Sequence, residues 1–218
     1  MKITYWSDYA CPYCYIGEVR LDKAIAKLQS QNKLTDNIEI ELKAFQLDSN
    51  APLTSSGPTV ERFAEKYGIS HEQASEQLQK ISQLAAEEGI GFNYADTLFT
   101  NTLDAHRLTK YVQQNAPEHA DKLKKAIYKA YFIDQKELAN RDVLADIAKK
   151  VGLDIDVATL LDSDQFKEEV IADQDEAMHL GVRGVPYFVI NDTYAIPGAM
   201  SQEDFENALR QIYNEMGN

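Results

Sequence analysis

Cysteine is scarce in this chain, 2 in 218 residues, so the disulfide framework that staples small secreted domains is excluded. Basic residues are outnumbered, 22 Lys and Arg against 35 Asp and Glu, and the formal charge of −13 repels phosphate backbones and anionic lipid surfaces. Neither nucleic acid nor a membrane is an expected partner. No apolar run approaches the ~20 residues of a membrane-spanning helix, and no basic-then-apolar leader precedes the strand-like Ile3-Thr4-Tyr5-Trp6. With Met1 taken as the start, the expected location is cytoplasmic. Internal repeats are lacking, and 10 Gly and 6 Pro are too few for a collagen-like or low-complexity chain. What is present, 44% hydrophobic and 26% charged residues, suffices for the core of one large or two small domains.

Lys2 to Ser7 are rich in β-branched and aromatic types and read as a strand. After Cys11-Pro12-Tyr13-Cys14, apolar residues at Ile16, Val19, Leu21, Ala24, Ile25 and Leu28 fall at helical spacing. Ile38, Ile40, Leu42 and Ala44 alternate with charged residues, predicting a half-buried strand joined to the first by a right-handed parallel crossover. The stretch from Asn50 to Pro58 breaks the pattern and reads as a linker. From there to about Leu180 the periodicity is helical. Ser70 with Gln73 makes a capping box, Pro117 opens a helix carrying Leu123, Ile127 and Tyr131, and Asn140 caps one that Gly152 stops. Phe166, Val170, Ala177 and Met178 mark a further helix. Tyr187–Ile190 and Thr193–Ile196 read as a hairpin around Asn191-Asp192, with a last helix from Ser201. Neither end alone has enough strands for a stable sheet, so the order predicts an α/β domain split by an all-helical insertion: 1–58 and 164–218 around 59–163.

A C-x-x-C between a strand and a helix carries chemistry. Unpaired N–H groups and the helix dipole favour a negative charge at the first cysteine, which makes Cys11 the expected nucleophile. Cys14, a turn later, can reach a mixed disulfide at Cys11 and expel the substrate thiol, and Pro12 suits the fixed φ of a first helical turn. Zinc would want four ligands, yet there is no second cysteine pair, and His71, His106, His119 and His179 lack paired spacing, so no metal is expected. Two inert buried cysteines are the bland alternative. Tyr5, Trp6, Tyr9, Tyr13 and Tyr15 crowd the motif, and alternation along the strand suggests that half of them line a surface groove.

Three segments together resemble a known family: Cys11-Pro12-Tyr13-Cys14-Tyr15-Ile16-Gly17, then Asn101-Thr102 with Ala105-His106-Arg107-Leu108, and finally Gly181-Val182-Arg183-Gly184-Val185-Pro186-Tyr187-Phe188. The chain is similar to the DsbA-like branch of the thioredoxin superfamily, in particular its FrnE-like oxidoreductases, relatives of 2-hydroxychromene-2-carboxylate isomerases and kappa-class glutathione transferases. The resemblance implies a thioredoxin fold interrupted by the helical insertion. It also implies that Pro186 is cis and faces Cys11, offering the Val185 backbone to substrate beside Pro12 and Tyr13, whereas a plain strand-initiating proline is the other reading of Pro186. Asn101 and His106 are supporting candidates, as a polar network at least as much as in catalysis. Pro-Tyr between the cysteines is a pair more typical of glutaredoxins, and Pro197-Gly198-Ala199-Met200 replaces the family's frequent Ser-Gly-Ala-Gln.

The function expected from all this is a cytosolic thiol-disulfide oxidoreductase or disulfide isomerase. Its redox group is the Cys11/Cys14 disulfide with no bound cofactor, glutathione or another thiol is the co-substrate, and protein or small-molecule thiols and disulfides are the partners. The alternatives are a glutathione-dependent isomerase or transferase of a small aromatic substrate, and a redox-inert chaperone or metal-binding protein. Monomer and dimer are both left open.

Overall fold

The computed structural model describes residues 1–35 and 37–217. Strand β1 (Lys2–Ser7) leads to helix α1 (Pro12–Ser30) and strand β2 (Glu39–Ala44). Six helices follow: α2 (Thr59–Tyr67), α3 (His71–Glu87), α4 (Leu103–Asn115), α5 (Ala120–Phe132), α6 (Arg141–Lys150) and α7 (Val157–Asp162). The chain then returns through α8 (Lys167–His179), strands β3 (Tyr187–Ile190) and β4 (Tyr194–Pro197), and α9 (Gln202–Glu215). The sheet order is β2-β1-β3-β4, with β1 parallel to β2 and antiparallel to β3. This is a thioredoxin fold interrupted by a helical block.

Helices cover the sheet on both faces, which is why Ile3 to Ser7 of β1 are all buried instead of alternating. Tyr5 stacks on Phe188, which meets Phe205 of α9 edge-on at 5.2 Å. Trp6 points the other way and donates its indole N–H to the Asp173 carbonyl of α8 at 2.8 Å. The expected pattern in β2 holds only for its second half. Leu42 and Ala44 are buried, whereas Ile40 is 39% exposed because it faces a cleft of about 250 Å³ between this edge strand and the α4–α5 region. One apolar core runs from Ile3 and Tyr5 of the sheet through Tyr9 to Leu108 and Tyr128 of the helical block.

The local signals act where the sequence places them. Ser70 and Gln73 close a reciprocal capping box, and the Asn140 and Ser201 side chains accept from the second or third amide of their helices. The β3–β4 connection turns through Asn191 and Asp192, both at positive φ (51° and 53°), a conformation these two residue types tolerate.

Candidate active site

The turn after β1 is built by Asp8. Its carbonyl accepts from the Cys11 amide at 3.0 Å, one carboxylate oxygen accepts from Ala10 N–H at 3.1 Å, and the other from Leu47 N–H at 2.8 Å. That turn delivers Cys11 to the N-cap of α1 with extended φ and ψ, Pro12 starts the helix, and no acidic side chain occupies the first turn. The Cys11 thiol donates toward the Val185 carbonyl at 3.6 Å, and the Val185–Pro186 peptide is cis. So the motif at one end of the chain and the Val185-Pro186 pair at the other meet at a single sulfur.

Cys14 lies one turn on and is fully buried. Both thiols are free. Burial pushes the Cys14 thiol well above its ordinary value, and the neighbouring Cys11 adds to this, while the Ser7 hydroxyl and the Asp8 amide oppose it. Ser7 is itself fixed by a 2.5 Å hydrogen bond to the Tyr128 hydroxyl of α5.

Gly17, the last residue of the motif segment, has a steric role. A Cβ there would meet Pro186 Cγ at 3.1 Å and Ala199 Cβ at 3.2 Å, so its absence lets α1 pack directly on the Pro186 loop. The Pro197–Met200 segment is fastened to the same place. Gly198 N–H donates to the Pro186 carbonyl at 2.8 Å, and Arg20 of α1 donates to the Ala199 carbonyl at 3.1 Å.

The other candidates divide. Asn101 holds the linker: its amide nitrogen donates to the Ser49 carbonyl at 3.0 Å, and its oxygen accepts from Gln46 at 3.1 Å and Leu103 N–H at 2.8 Å. His106 is buried behind the turn, its ring 4.9 Å from Tyr9 and its Nε2 3.8 Å from Asp8. The aromatic cluster differs from expectation. Tyr5, Trp6 and Tyr9 are each 1% exposed, Tyr15 is half-buried against Tyr128, and only Tyr13, 44% exposed, stands at the surface. The half-and-half split fails because helices cover both faces of the sheet.

Sequence reasoning missed the polar floor beneath α1. Glu18, one turn past Cys14, is buried with its carboxylate 2.8 Å from Lys124 Nζ and 3.0 Å from the Tyr5 hydroxyl. A charged residue on the apolar face of a helix was the available signal. The Glu18, Asp22 and Asp121 carboxylates lie close enough together for a cation, but the Lys124 ammonium already sits among them, 3.3 Å from Asp121.

Comparison with known proteins agrees with this geometry. A family described as DSBA-like thioredoxin domain matches residues 2–210. A probable DsbA oxidoreductase, SCO1869 from Streptomyces coelicolor, superposes with a TM-score of 0.89 at 32% identity, over 99% of this chain and 91% of that one. The cytosolic disulfide reductase DsbM from Pseudomonas aeruginosa, solved with GSH, shares the fold at TM-score 0.64 and 13% identity, over 99% and 98% of the two chains. A 2-hydroxychromene-2-carboxylate isomerase does so at 0.67 and 16% identity, over 100% and 98%.

Proposed function

We propose, for a chain that belongs to the DsbA-like thioredoxin family, that it is a cytoplasmic thiol-disulfide oxidoreductase working through Cys11 and Cys14. It needs no prosthetic group, and residues 59–163 act as its helical insertion. The observation that carries the reading is the 3.6 Å approach of the Cys11 thiol to the Val185 carbonyl next to Pro186. An extended substrate pairing with that backbone brings its own sulfur to Cys11, with Pro12 and Tyr13 forming the opposite rim.

The steps balance without an outside group. The Cys11 thiolate attacks a disulfide R–S–S–R, a Cys11–S–R bond forms, and one R–S⁻ leaves. Cys14 then attacks the Cys11 sulfur, the second R–S⁻ departs and takes up the Cys14 proton, and the enzyme is left as the Cys11–Cys14 disulfide. Isomerisation of a protein disulfide uses the first step and its reversal. The burial that raises the Cys14 pKa keeps that thiol protonated until the mixed disulfide is presented, which separates attack from resolution. Glutathione is the thiol we assign to return the enzyme to its reduced form; the GSH-bound DsbM structure supports that choice.

The test is thiol trapping in glutathione buffers combined with single-cysteine variants. Cys11→Ser should abolish turnover of a model disulfide, and Cys14→Ser should accumulate a mixed disulfide visible by mass spectrometry. A reduction potential near the cytosolic glutathione poise, roughly −220 to −320 mV, fits a reductase, and one near the −120 mV of strongly oxidising relatives fits an isomerase or oxidase. Glutathione-dependent turnover that survives loss of both cysteines would instead favour an isomerase or transferase of a small aromatic substrate.

A further inference from the structure

Helix α4 presses a buried histidine against the turn that carries Cys11. His106 is 1% exposed, and its Nε2 has no hydrogen-bond partner. Buried polar atoms are almost always paired, so this orphan needs a reason. The group it faces is the Asp8 carboxylate, whose Oδ1 lies 3.8 Å away, too far for a hydrogen bond and close enough for an ion pair. A second contact fixes the approach. The His106 ring lies 4.9 Å from the Tyr9 ring, and the Tyr9 hydroxyl bonds Thr109 Oγ1 at 2.6 Å, one turn further along α4.

Asp8 is tied to Cys11 through the backbone. Its Oδ1 accepts from Ala10 N–H at 3.1 Å, its Oδ2 from Leu47 N–H at 2.8 Å, and its carbonyl from Cys11 N–H at 3.0 Å. The carboxylate, 2% exposed, is thus locked into the turn by neutral donors. Among the described residues no lysine or arginine comes within ion-pair distance of it, so His106 is the side chain there that can bring a positive charge. The other ionisable groups around the pair do not supply one. Burial keeps the Tyr9 and Tyr128 phenols protonated, and it does the same for Tyr94 and Tyr131, both of which feel the Asp8 charge. Arg107, the next residue of α4, turns away to Asp104 and to the Leu160 and Ser163 carbonyls. The Lys124 ammonium, whose charge reaches Tyr9, is held by Glu18 and Asp121.

When Cys11 ionises, a second anion enters a turn that already holds one, and like charges in a poorly hydrated place disfavour each other. We propose that His106 is a positioning residue that acts through Asp8: as an imidazolium it pairs with the Asp8 carboxylate and so favours the Cys11 thiolate, and as a neutral imidazole it withdraws that support. The Cys11 proton goes to water, and none passes through His106. What the thiolate then attacks rests on the oxidoreductase reading above; the charge coupling belongs to the reduced protein alone.

The readout is the pH profile of Cys11 alkylation in the full chain, with the thiolate followed by its ultraviolet absorbance. His106→Gln keeps a polar side chain but no charge. It should slow alkylation at least about threefold below neutral pH and leave it unchanged at alkaline pH, where thiols ionise without help. In an Asp8→Asn background the same substitution should have much less effect. A His106→Gln profile that superimposes on the wild type, one that falls equally at every pH as a distorted turn would make it, or one that falls as far in the Asp8→Asn background, overturns the proposal. A second arm leaves His106 in place. Coupling between two sites is reciprocal, so the thiolate must favour the imidazolium. The NMR titration of the His106 imidazole should therefore have a higher midpoint in the reduced wild type than in Cys11→Ser. Equal midpoints overturn the proposal even if His106→Gln fails to fold. A displaced midpoint upholds it even if the cysteine pair has no reversible redox couple, the outcome that would sink the oxidoreductase reading instead.

Discussion

Two glutamates hold α1, the helix that starts at the cysteine pair, and they do so in opposite electrostatic regimes. Glu18 faces inward, buried, against the single ammonium of Lys124 and the Tyr5 hydroxyl. Glu88 follows α3 and meets the outer face of α1, where Arg20 lies at 2.6 Å and Lys23 at 2.8 Å. Burial lifts the Glu18 carboxyl above its usual range, and Lys124 and Tyr5 only partly offset this. Burial lifts Glu88 as well, but hydrogen bonds from Lys23 and Arg20 outweigh it and hold that carboxyl low. Lys124 shows why the inner site is lopsided: despite burial, Glu18, Asp22 and Asp121 together raise its pKa, so one ammonium serves three carboxylates. Distance is nearly the same at both sites. The count of cations per carboxylate and the depth of burial decide the sign.

The inner site should break hardest. Lys124→Met leaves Glu18 charged and buried without its counter-ion, a loss of about 3–5 kcal/mol at neutral pH, read as a fall in the denaturation midpoint. Replacing both residues, Lys124→Met with Glu18→Leu, should recover most of that loss, because the penalty comes from the stranded charge and not from a missing attraction. A double variant as unstable as the single one would show that the pair itself stabilises the fold.

At the outer site the matching change is Arg20→Ala. It removes the 2.6 Å contact to Glu88 and the bond to the Ala199 carbonyl, while Lys23 stays to compensate the carboxylate. The expected cost is about 1–2 kcal/mol. The functional effect should be disproportionate, since the freed Pro197–Met200 segment packs on Gly17 and bonds Pro186. Slower single-turnover oxidation by a small-molecule disulfide at unchanged Cys11 alkylation would show that the loop serves substrate and not the thiol.

Much of this was legible in the sequence, and the illegible part has a common cause. The Cys11-Pro12-Tyr13-Cys14 placement, the Ser70, Asn140 and Ser201 caps and the Asn191-Asp192 turn are local signals, each set within four residues. The family likeness supplied what lies far apart, the meeting of Cys11 with Val185. Ser7, Asp8, Glu18, Lys124 and Tyr128 were missed because their roles depend on partners brought together by folding: Ser7 and Tyr128 are 121 positions apart. Glu18 stands out only as a charge on the apolar face of α1, and nothing local names Lys124 as its partner until α5 is laid against α1. The same tertiary coverage buried Tyr5, Trp6 and Tyr9, which alternation alone had divided between core and groove.

The pH dependence sharpens the contrast between the two glutamates. Glu88 has a lowered folded pKa, so its contribution is present above the ordinary value of 4.5 and fades as pH falls below it. Glu18 has a raised folded pKa, so the folded state holds its proton more tightly and stability is lost as pH rises from 4.5 through the raised value. The cost of Glu88→Gln should therefore shrink as pH falls below 4.5, while the cost of Glu18→Gln shrinks as pH rises above it. Parallel slopes in urea titrations would mean that the two sites share one regime after all.

The smallest effect should come from a pair with equally good geometry and no burial. Lys125 reaches Asp121 at 2.8 Å, as close as Lys124 comes to Glu18, but the two side chains are 51% and 60% exposed. Water and salt screen that contact, and holding two long side chains together costs rotamer freedom, so Lys125→Ala should change stability by less than about 0.5 kcal/mol. The prediction separates two explanations of the Glu18 site. If Lys125→Ala and Lys124→Met cost the same, ion-pair distance sets the energy. A difference of several-fold, unchanged when salt is raised for Lys124→Met and vanishing for Lys125→Ala, assigns it to desolvation beneath α1.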